Sequence, residues 1–134
     1  MTLPVTGLAA AICALMLIFL MFKVVGERLR TETDFGSSDD TKMKMVRGCH
    51  SNLAENAPIA LIMLAILELA NANHWGLTAL AGLFLVARVV HVFGMYQHYE
   101  GKTLRFRQIG VVGTVMSLAG MAVWILYLFV TNHI

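Results

Sequence analysis

Charged side chains are scarce in this sequence. Asp, Glu, Lys and Arg make up 13% of its 134 residues, whereas they supply about a quarter of a soluble domain. The formal net charge is only +2 and the basic residues are dispersed, so binding to nucleic acid is not expected. Hydrophobic residues make up 58% of the chain and occur in long runs separated by short polar ones. This pattern excludes an ordinary soluble domain and a disordered chain, and it indicates a small polytopic membrane protein.

Cysteine is equally rare, with only Cys13 and Cys49 in the chain. We expect Cys13 in the middle of the membrane and Cys49 near its cytoplasmic face, so a disulfide between them is not expected. The spacing typical of zinc ligands is absent, and no metal site is predicted. The chain also lacks a linker, an internal repeat and a soluble stretch, so residues 1–134 are predicted to form a single membrane domain.

Four apolar segments are visible, at about 3–25, 46–70, 75–99 and 107–131. Each has at least the ~20 residues that a helix needs to cross the hydrocarbon core. The first segment has no basic residues before its apolar run, so we expect a retained helix rather than a cleaved signal peptide. The fold predicted is an all-α integral membrane bundle of four transmembrane helices. Pro58 either kinks the second helix or is tolerated there without consequence.

The basic residues predict how the helices are oriented. They gather around the first connection, Glu27 to Met43, which is expected to be a polar and mobile loop, and around the third connection, between the third and fourth segments. The N-terminus, the second connection (Asn71 to Trp75) and the tail after Val130 contain none. Cytoplasmic loops collect Lys and Arg, so both termini are expected on the non-cytoplasmic side of a bacterial inner membrane. The basic residues at these two connections are Lys23, Arg28, Arg30, Lys42, Lys44, Arg47, Lys102, Arg105 and Arg107. For Lys42, Lys102 and Arg105 the first expectation is contact with membrane lipid phosphate, and the same role is an alternative for Arg107.

Two ionisable residues lie deeper, within the second and third segments. Glu55 and Arg88 are each about 11 residues from the cytoplasmic boundary, a depth of roughly 16 Å at ~1.5 Å per residue. A charge in hydrocarbon is costly unless it is paired or faces water. We therefore expect Glu55 and Arg88 to meet, either as a structural ion pair or as a pair that also lines a ligand site. His91, one turn beyond Arg88, is either a core histidine or a ligand-binding residue.

Together these residues predict a polar cleft that opens to the cytoplasm and is basic at its mouth. Such a cleft suits a small acidic ligand, since Arg binds carboxylates through two parallel hydrogen bonds. Asn52 and Glu55 are placed to take a ligand amide and ammonium. An Arg beside a thiol also favours the nucleophilic thiolate. In the fourth segment the small residues Gly110, Gly113, Thr114, Ser117 and Gly120 recur at helical spacing, which predicts close helix packing.

The chain resembles the MAPEG family, the membrane-associated proteins in eicosanoid and glutathione metabolism, in three motifs that occur in the family's order. They resemble the family's second-helix signature, its third-helix motif and the start of its fourth helix. The motifs are Asn52-x-x-Glu55-Asn56-x-Pro58 preceded by His50, Ala87-Arg88-Val-Val-His91 followed by Gly94, and Arg107-x-x-Gly110. The Glu55-Asn56 pair is most similar to the glutathione-transferase branch.

The resemblance implies a homotrimer that binds glutathione between subunits and conjugates it to lipophilic electrophiles, with peroxidase activity toward lipid hydroperoxides as a further expectation. It implies Arg107, with Arg105 as second choice, as the residue that holds the thiolate. The residues implied in glutathione binding are Arg47, Asn52, Glu55, Arg88 and His91, with Arg28 or Arg30 reaching in from the first connection.

A non-catalytic membrane oligomer that binds an anionic metabolite or partner is the alternative. Two positions favour it. Gly48 stands where the family usually carries Arg, and Met95 stands where eukaryotic members carry Tyr. A transporter is not expected, because four helices without inverted repeats or pairs of broken helices lack the two units whose relative motion gives alternating access.

Overall fold

The computed structural model describes residues 3–33 and 39–133, with side chains as far as residue 131. Over these residues the chain forms four helices: α1 (Pro4–Thr31), α2 (Thr41–Leu69), α3 (His74–Tyr99) and α4 (Arg105–His133). Each is long and apolar enough to cross a membrane. The prediction of an all-α bundle of four candidate membrane-spanning helices is therefore confirmed.

The helices on either side of the first connection are longer than the sequence suggested. α1 continues past residue 25 to Thr31 and is closed by Glu32, which adopts a left-handed conformation with φ 51°. α2 begins at Thr41 rather than at 46, because the Asp40 carboxylate accepts a hydrogen bond from the Met43 amide at 2.8 Å. Such an N-cap satisfies an amide that the helix itself leaves unpaired. The expectation of a loop from 27 to 43 is therefore wrong at both ends, and residues 34–38 of that loop lie outside the described residues.

Ion pairs join these two helix ends. Glu27 contacts Arg30 at 2.6 Å and Lys42 at 2.7 Å, and Arg30 also contacts Asp40 at 2.6 Å. The Arg30 guanidinium, together with the Met43 amide, holds the pKa of the Asp40 carboxyl below its ordinary value. The end of α1 is thereby tied to the beginning of α2.

The opposite ends of α1 and α2 are joined by a different device. Leu3, the N-cap of α1, offers no side-chain hydrogen bond. Instead the Glu68 carboxylate, from the last turn of α2, accepts hydrogen bonds from the Val5 amide at 2.8 Å and the Thr6 amide at 2.9 Å. A negative charge at a helix N-terminus is favourable, so Glu68 caps α1 from a neighbouring helix.

Helices α3 and α4 run antiparallel and pack closely against each other. A Cβ added at Gly110 would lie 2.6 Å from the His91 backbone, and one at Gly113 would lie 2.9 Å from the Ala87 Cβ. Gly94 of α3 packs in the same way against the backbone at the start of α4. Small residues allow such an approach where lipid supplies no hydrophobic drive. The packing role predicted for the small residues of α4 is confirmed.

Candidate functional site

Arg88 lies at the junction of three helices, with only 2% of its surface exposed. From α3, its guanidinium donates hydrogen bonds to the Asn52 side-chain oxygen on α2 and to the Thr114 hydroxyl on α4. A third bond reaches the Gly110 carbonyl at 3.3 Å. The Thr114 hydroxyl in turn donates to that same carbonyl at 2.8 Å. The close α3–α4 approach at Gly110 therefore positions Arg88 as well as packing the helices.

The charge of Arg88 has no counter-ion among the residues that the structure describes. All three acceptors are neutral oxygens, and the Nε atom is buried without a hydrogen-bond partner there. The Phe84 ring lies 5.9 Å from the guanidinium carbon and provides a weak cation–π contact. Burying a guanidinium without an anion is costly, so this site favours binding of a negatively charged group.

Glu55 does not supply that negative charge within the chain. It is exposed on α2, and the ion pairs of the described residues do not join it to Arg88. The prediction that these two residues meet is wrong for a single chain. The reason is the rotation of α2, which turns Asn52 toward α3 and leaves Glu55 on the outer surface.

Asn52 is half-buried, and its backbone carbonyl oxygen also accepts a hydrogen bond. The Asn56 amide group donates to the Asn52 carbonyl at 2.7 Å, one turn along the helix. Asn52 therefore contacts Arg88 through its side chain and Asn56 through its backbone. In the Asn-x-x-Glu motif, the Asn52 side chain therefore faces the interior and the Glu55 carboxylate faces outward.

His91 is placed beside Arg88, as the sequence predicted. It is 4% exposed, and it lies close enough to Arg88 and Arg107 to interact electrostatically with both. Its backbone forms the surface on which Gly110 packs. His91 therefore connects the buried Arg88 with the beginning of α4.

The remaining arginines fall into two groups. Arg107 is exposed in the first turn of α4 and lies close enough to His91 and Cys49 to interact electrostatically with both. Arg105 is also exposed and is the first residue of that helix. Arg47 is half-buried on α2. Arg30 is held in ion pairs with Glu27 and Asp40, away from Arg88, and Arg28 lies on the same end of α1.

Two features of the site were missed from the sequence. The small-residue pattern predicts only a packing role for Thr114, yet its hydroxyl accepts a hydrogen bond from Arg88. Gly48 and Met95 lie far apart in the sequence, yet they are neighbours in the structure: a Cβ at residue 48 would lie 3.2 Å from the Met95 methyl. The Met95 side chain therefore occupies the space above Gly48. Thr114 is a hydroxyl within the small-residue pattern, four residues after Gly110, and this could have indicated a polar contact. No signal in the sequence links Gly48 with Met95.

Arg88, His91, Asn52 and Thr114 form a buried basic centre, and Arg107 is an exposed cation near it. This arrangement is suited to holding an anion and to stabilising negative charge on a ligand that approaches from the beginning of α4. Among the described residues, no group of three His, Cys, Asp or Glu side chains is placed to hold a metal ion.

Comparisons with known proteins agree with the resemblance to the MAPEG family that the sequence motifs indicate. A sequence model of the MAPEG family matches residues 6–127. The inner membrane protein YecN of Escherichia coli K12 is 25% identical over 114 residues, which cover 85% of this chain and 84% of the relative. YecN of Escherichia coli O6:H1 strain CFT073 matches with the same identity and coverage. No solved structure matches the chain.

Proposed function

Since this chain belongs to the MAPEG family and is a membrane protein of that family, we propose that it is a membrane-embedded glutathione transferase. The observation that carries the proposal is the buried Arg88, which has no counter-ion among the described residues. Glutathione is an anionic thiol with two carboxylates. One of its carboxylates would be the counter-ion that Arg88 lacks among the described residues.

The positions of Asn52, His91 and Glu55 fit a ligand that lies at the edge of the subunit. Asn52 and His91 line the buried side of the site next to Arg88. Glu55 lies on the outer surface, where a carboxylate facing hydrocarbon would be costly. A neighbouring copy of the chain that covers Glu55 would remove this cost. We therefore propose a homotrimer with glutathione between subunits, where Glu55 takes the ligand ammonium and Arg47 a carboxylate.

Arg107 is proposed to stabilise the glutathione thiolate, with Arg105 as the second candidate. In conjugation the thiol proton leaves to solvent, the sulfur forms a bond to an electrophilic carbon of a lipophilic substrate, and the leaving group departs with its electron pair. With a lipid hydroperoxide, two glutathione molecules would reduce the peroxide to an alcohol and water and form glutathione disulfide. The positive charge of Arg107 near the sulfur would favour both reactions, because it stabilises the thiolate nucleophile.

We place the protein in a bacterial inner membrane, as the name of the YecN relative states for that protein. The basic residues at the α1–α2 and α3–α4 connections would face the cytoplasm, and both termini the other side. Glutathione would then enter from the cytoplasm and the electrophile from the bilayer. Arg28 and Arg30 would lie at the cytoplasmic boundary, where the pairing of Arg30 with two carboxylates leaves it little freedom to bind the ligand.

The test combines binding and catalysis on the purified protein in detergent. Glutathione binding is measured by isothermal titration, and conjugation is measured with 1-chloro-2,4-dinitrobenzene. We expect Glu55→Gln to weaken binding, whereas Arg107→Ala should lower turnover far more than binding, because its charge acts mainly on the reacting sulfur. Arg105→Ala, measured in the same two assays, tests the second candidate, and a larger loss of turnover in this variant would assign the role to Arg105. Turnover unchanged by Arg107→Ala would dismiss its role, and a wild-type protein that neither binds nor conjugates glutathione would overturn the proposal.

A second candidate function is a non-catalytic oligomer that binds an anionic metabolite. The contact between Gly48 and Met95 favours it, since both positions depart from the pattern of family members and the Met95 side chain fills the space where a side chain at 48 would lie. Binding of glutathione without conjugation by the wild type would support this candidate over the transferase.

A further inference from the structure

A cluster of sulfur-bearing side chains lies where the beginning of α2 packs on the end of α3. On α2, Met45 and Cys49 are four residues apart on one helix face, and their sulfur atoms are 3.9 Å apart. On α3, Met95 reaches the same region, because its methyl carbon would lie 3.2 Å from a Cβ at position 48, next to Cys49. Met45 is 7% exposed and Cys49 is fully buried. Two thioethers and one thiol are thus gathered between these two helices.

A cavity of about 380 Å³ beside this cluster opens to the protein surface. Both thioethers line it, and His98, which follows Met95 by almost one helical turn, is exposed at its mouth. The lining residues are Thr41, Lys44, Met45, Met95, His98 and Tyr99. Lys44 contacts the Asp39 carboxylate at 3.1 Å, which offsets part of its positive charge. A small ion can therefore reach the sulfur atoms from the end of the bundle where α2 begins.

We propose that this cluster binds copper(I) through the thiolate of Cys49 and the thioethers of Met45 and Met95. The imidazole of His98 completes the set of ligands at the mouth of the cavity. Thiolate and thioether ligands are soft and select copper(I) over hard ions such as magnesium and calcium. A sulfur ligand lies about 2.3 Å from its metal ion, so two sulfur atoms on one ion are roughly 3.8–4.0 Å apart at tetrahedral or trigonal angles. The sulfur atoms of Met45 and Cys49 already have this separation.

The charge balance favours a monovalent ion over a divalent one. When copper(I) binds, the Cys49 thiol proton leaves to solvent and the ion takes its place on the sulfur, so the buried group stays neutral. A divalent ion would leave a net positive charge there, and Arg107 lies close enough to Cys49 for an unfavourable electrostatic interaction with it. The described residues also offer no set of three His, Cys, Asp or Glu side chains for a harder ion. The site therefore differs from the zinc sites whose spacing the sequence lacks, and it does not rest on the proposed function.

The test titrates copper(I) against the purified protein in detergent, with bathocuproine disulfonate as a coloured competitor, under anaerobic conditions and without glutathione, whose thiol would itself bind the metal. We expect the wild type to take one copper(I) per chain, and X-ray absorption should show sulfur ligands at about 2.3 Å. Cys49→Ser should abolish this binding. Met45→Leu and Met95→Leu should each weaken it by about ten-fold or more, because Leu keeps the volume of the side chain and removes the sulfur.

The matched controls are Cys13→Ser, which removes the other buried cysteine, and Met116→Leu, which removes an exposed thioether of α4. Both should keep the wild-type affinity. A wild type that takes no copper(I) from the competitor, or equal losses in Cys13→Ser and Cys49→Ser, would overturn the proposal. So would unchanged affinity in both Met45→Leu and Met95→Leu, which decide the question even if Cys49→Ser fails to fold. Glutathione titration of the wild type is independent of these outcomes, so the two proposals fail separately.

Discussion

Replacing Gly110 with Ala probes both the packing of α3 on α4 and the position of Arg88. The added Cβ would lie 2.6 Å from the backbone nitrogen, Cα and Cβ of His91, whereas carbon atoms normally rest about 3.5–4.0 Å apart. Two of these atoms are backbone and the Cβ is fixed to the backbone, so no side-chain rotation relieves the clash. The two helices must therefore separate by about 1 Å at this point.

The expected cost has two parts and one offset. Overpacking costs about 1–3 kcal/mol, and lengthening the hydrogen bond from Arg88 to the Gly110 carbonyl costs about 1–2 kcal/mol. The better helix propensity of Ala returns up to about 1 kcal/mol. We expect a net loss of about 2–3 kcal/mol in the free energy of unfolding, measured by titration with sodium dodecyl sulfate in mixed micelles and followed by circular dichroism.

Gly82→Ala is the matched control, because a Cβ at this position of α3 meets nothing within 4 Å. It should leave stability unchanged or raise it slightly, and it should leave glutathione binding intact, while Gly110→Ala weakens that binding by displacing Arg88. If both variants unfold at the same detergent fraction, the α3–α4 approach does not hold the bundle together and the reasoning from Gly110 to Arg88 fails.

Three further predictions concern single polar contacts. Thr114→Val should destabilise the protein by about 1–3 kcal/mol and lower glutathione affinity, because Arg88 loses an acceptor; unchanged values in both assays would contradict this. Glu68→Gln should speed hydrogen exchange of the first-turn amides of α1, which lose a charged acceptor, and equal exchange rates would refute the cap. The lowered pKa of Asp40 means that its ionised form favours the folded state: this contribution is complete above ~pH 4 and is lost as the pH falls through the folded pKa, so the acid sensitivity of unfolding should decrease in Asp40→Asn.

The contacts of Arg88 show how far sequence reasoning reached in the site. Its depth and its ionisable character were enough to mark it as a functional candidate, and His91 was correctly placed beside it. Its partners were not predictable. Glu55 was the obvious counter-ion by depth, but depth is a coordinate along the helix and says nothing about which way the side chain faces.

The sequence by itself determined the four helices, because apolar runs of this length have no other way to satisfy their backbone groups in lipid, and it determined the tight α4 packing through the spacing of its small residues. Only the tertiary structure decided how each helix is rotated about its axis. The polar and apolar residues of α2 do not fall on two separate faces, so periodicity does not fix which face meets α3. Packing at Gly110 and Gly94 fixes α3 against α4 and so sets the position of Arg88. The burial of Cys49, Leu53 and Ala57 turns α2 so that Asn52 faces Arg88 and Glu55 stays on the outer surface.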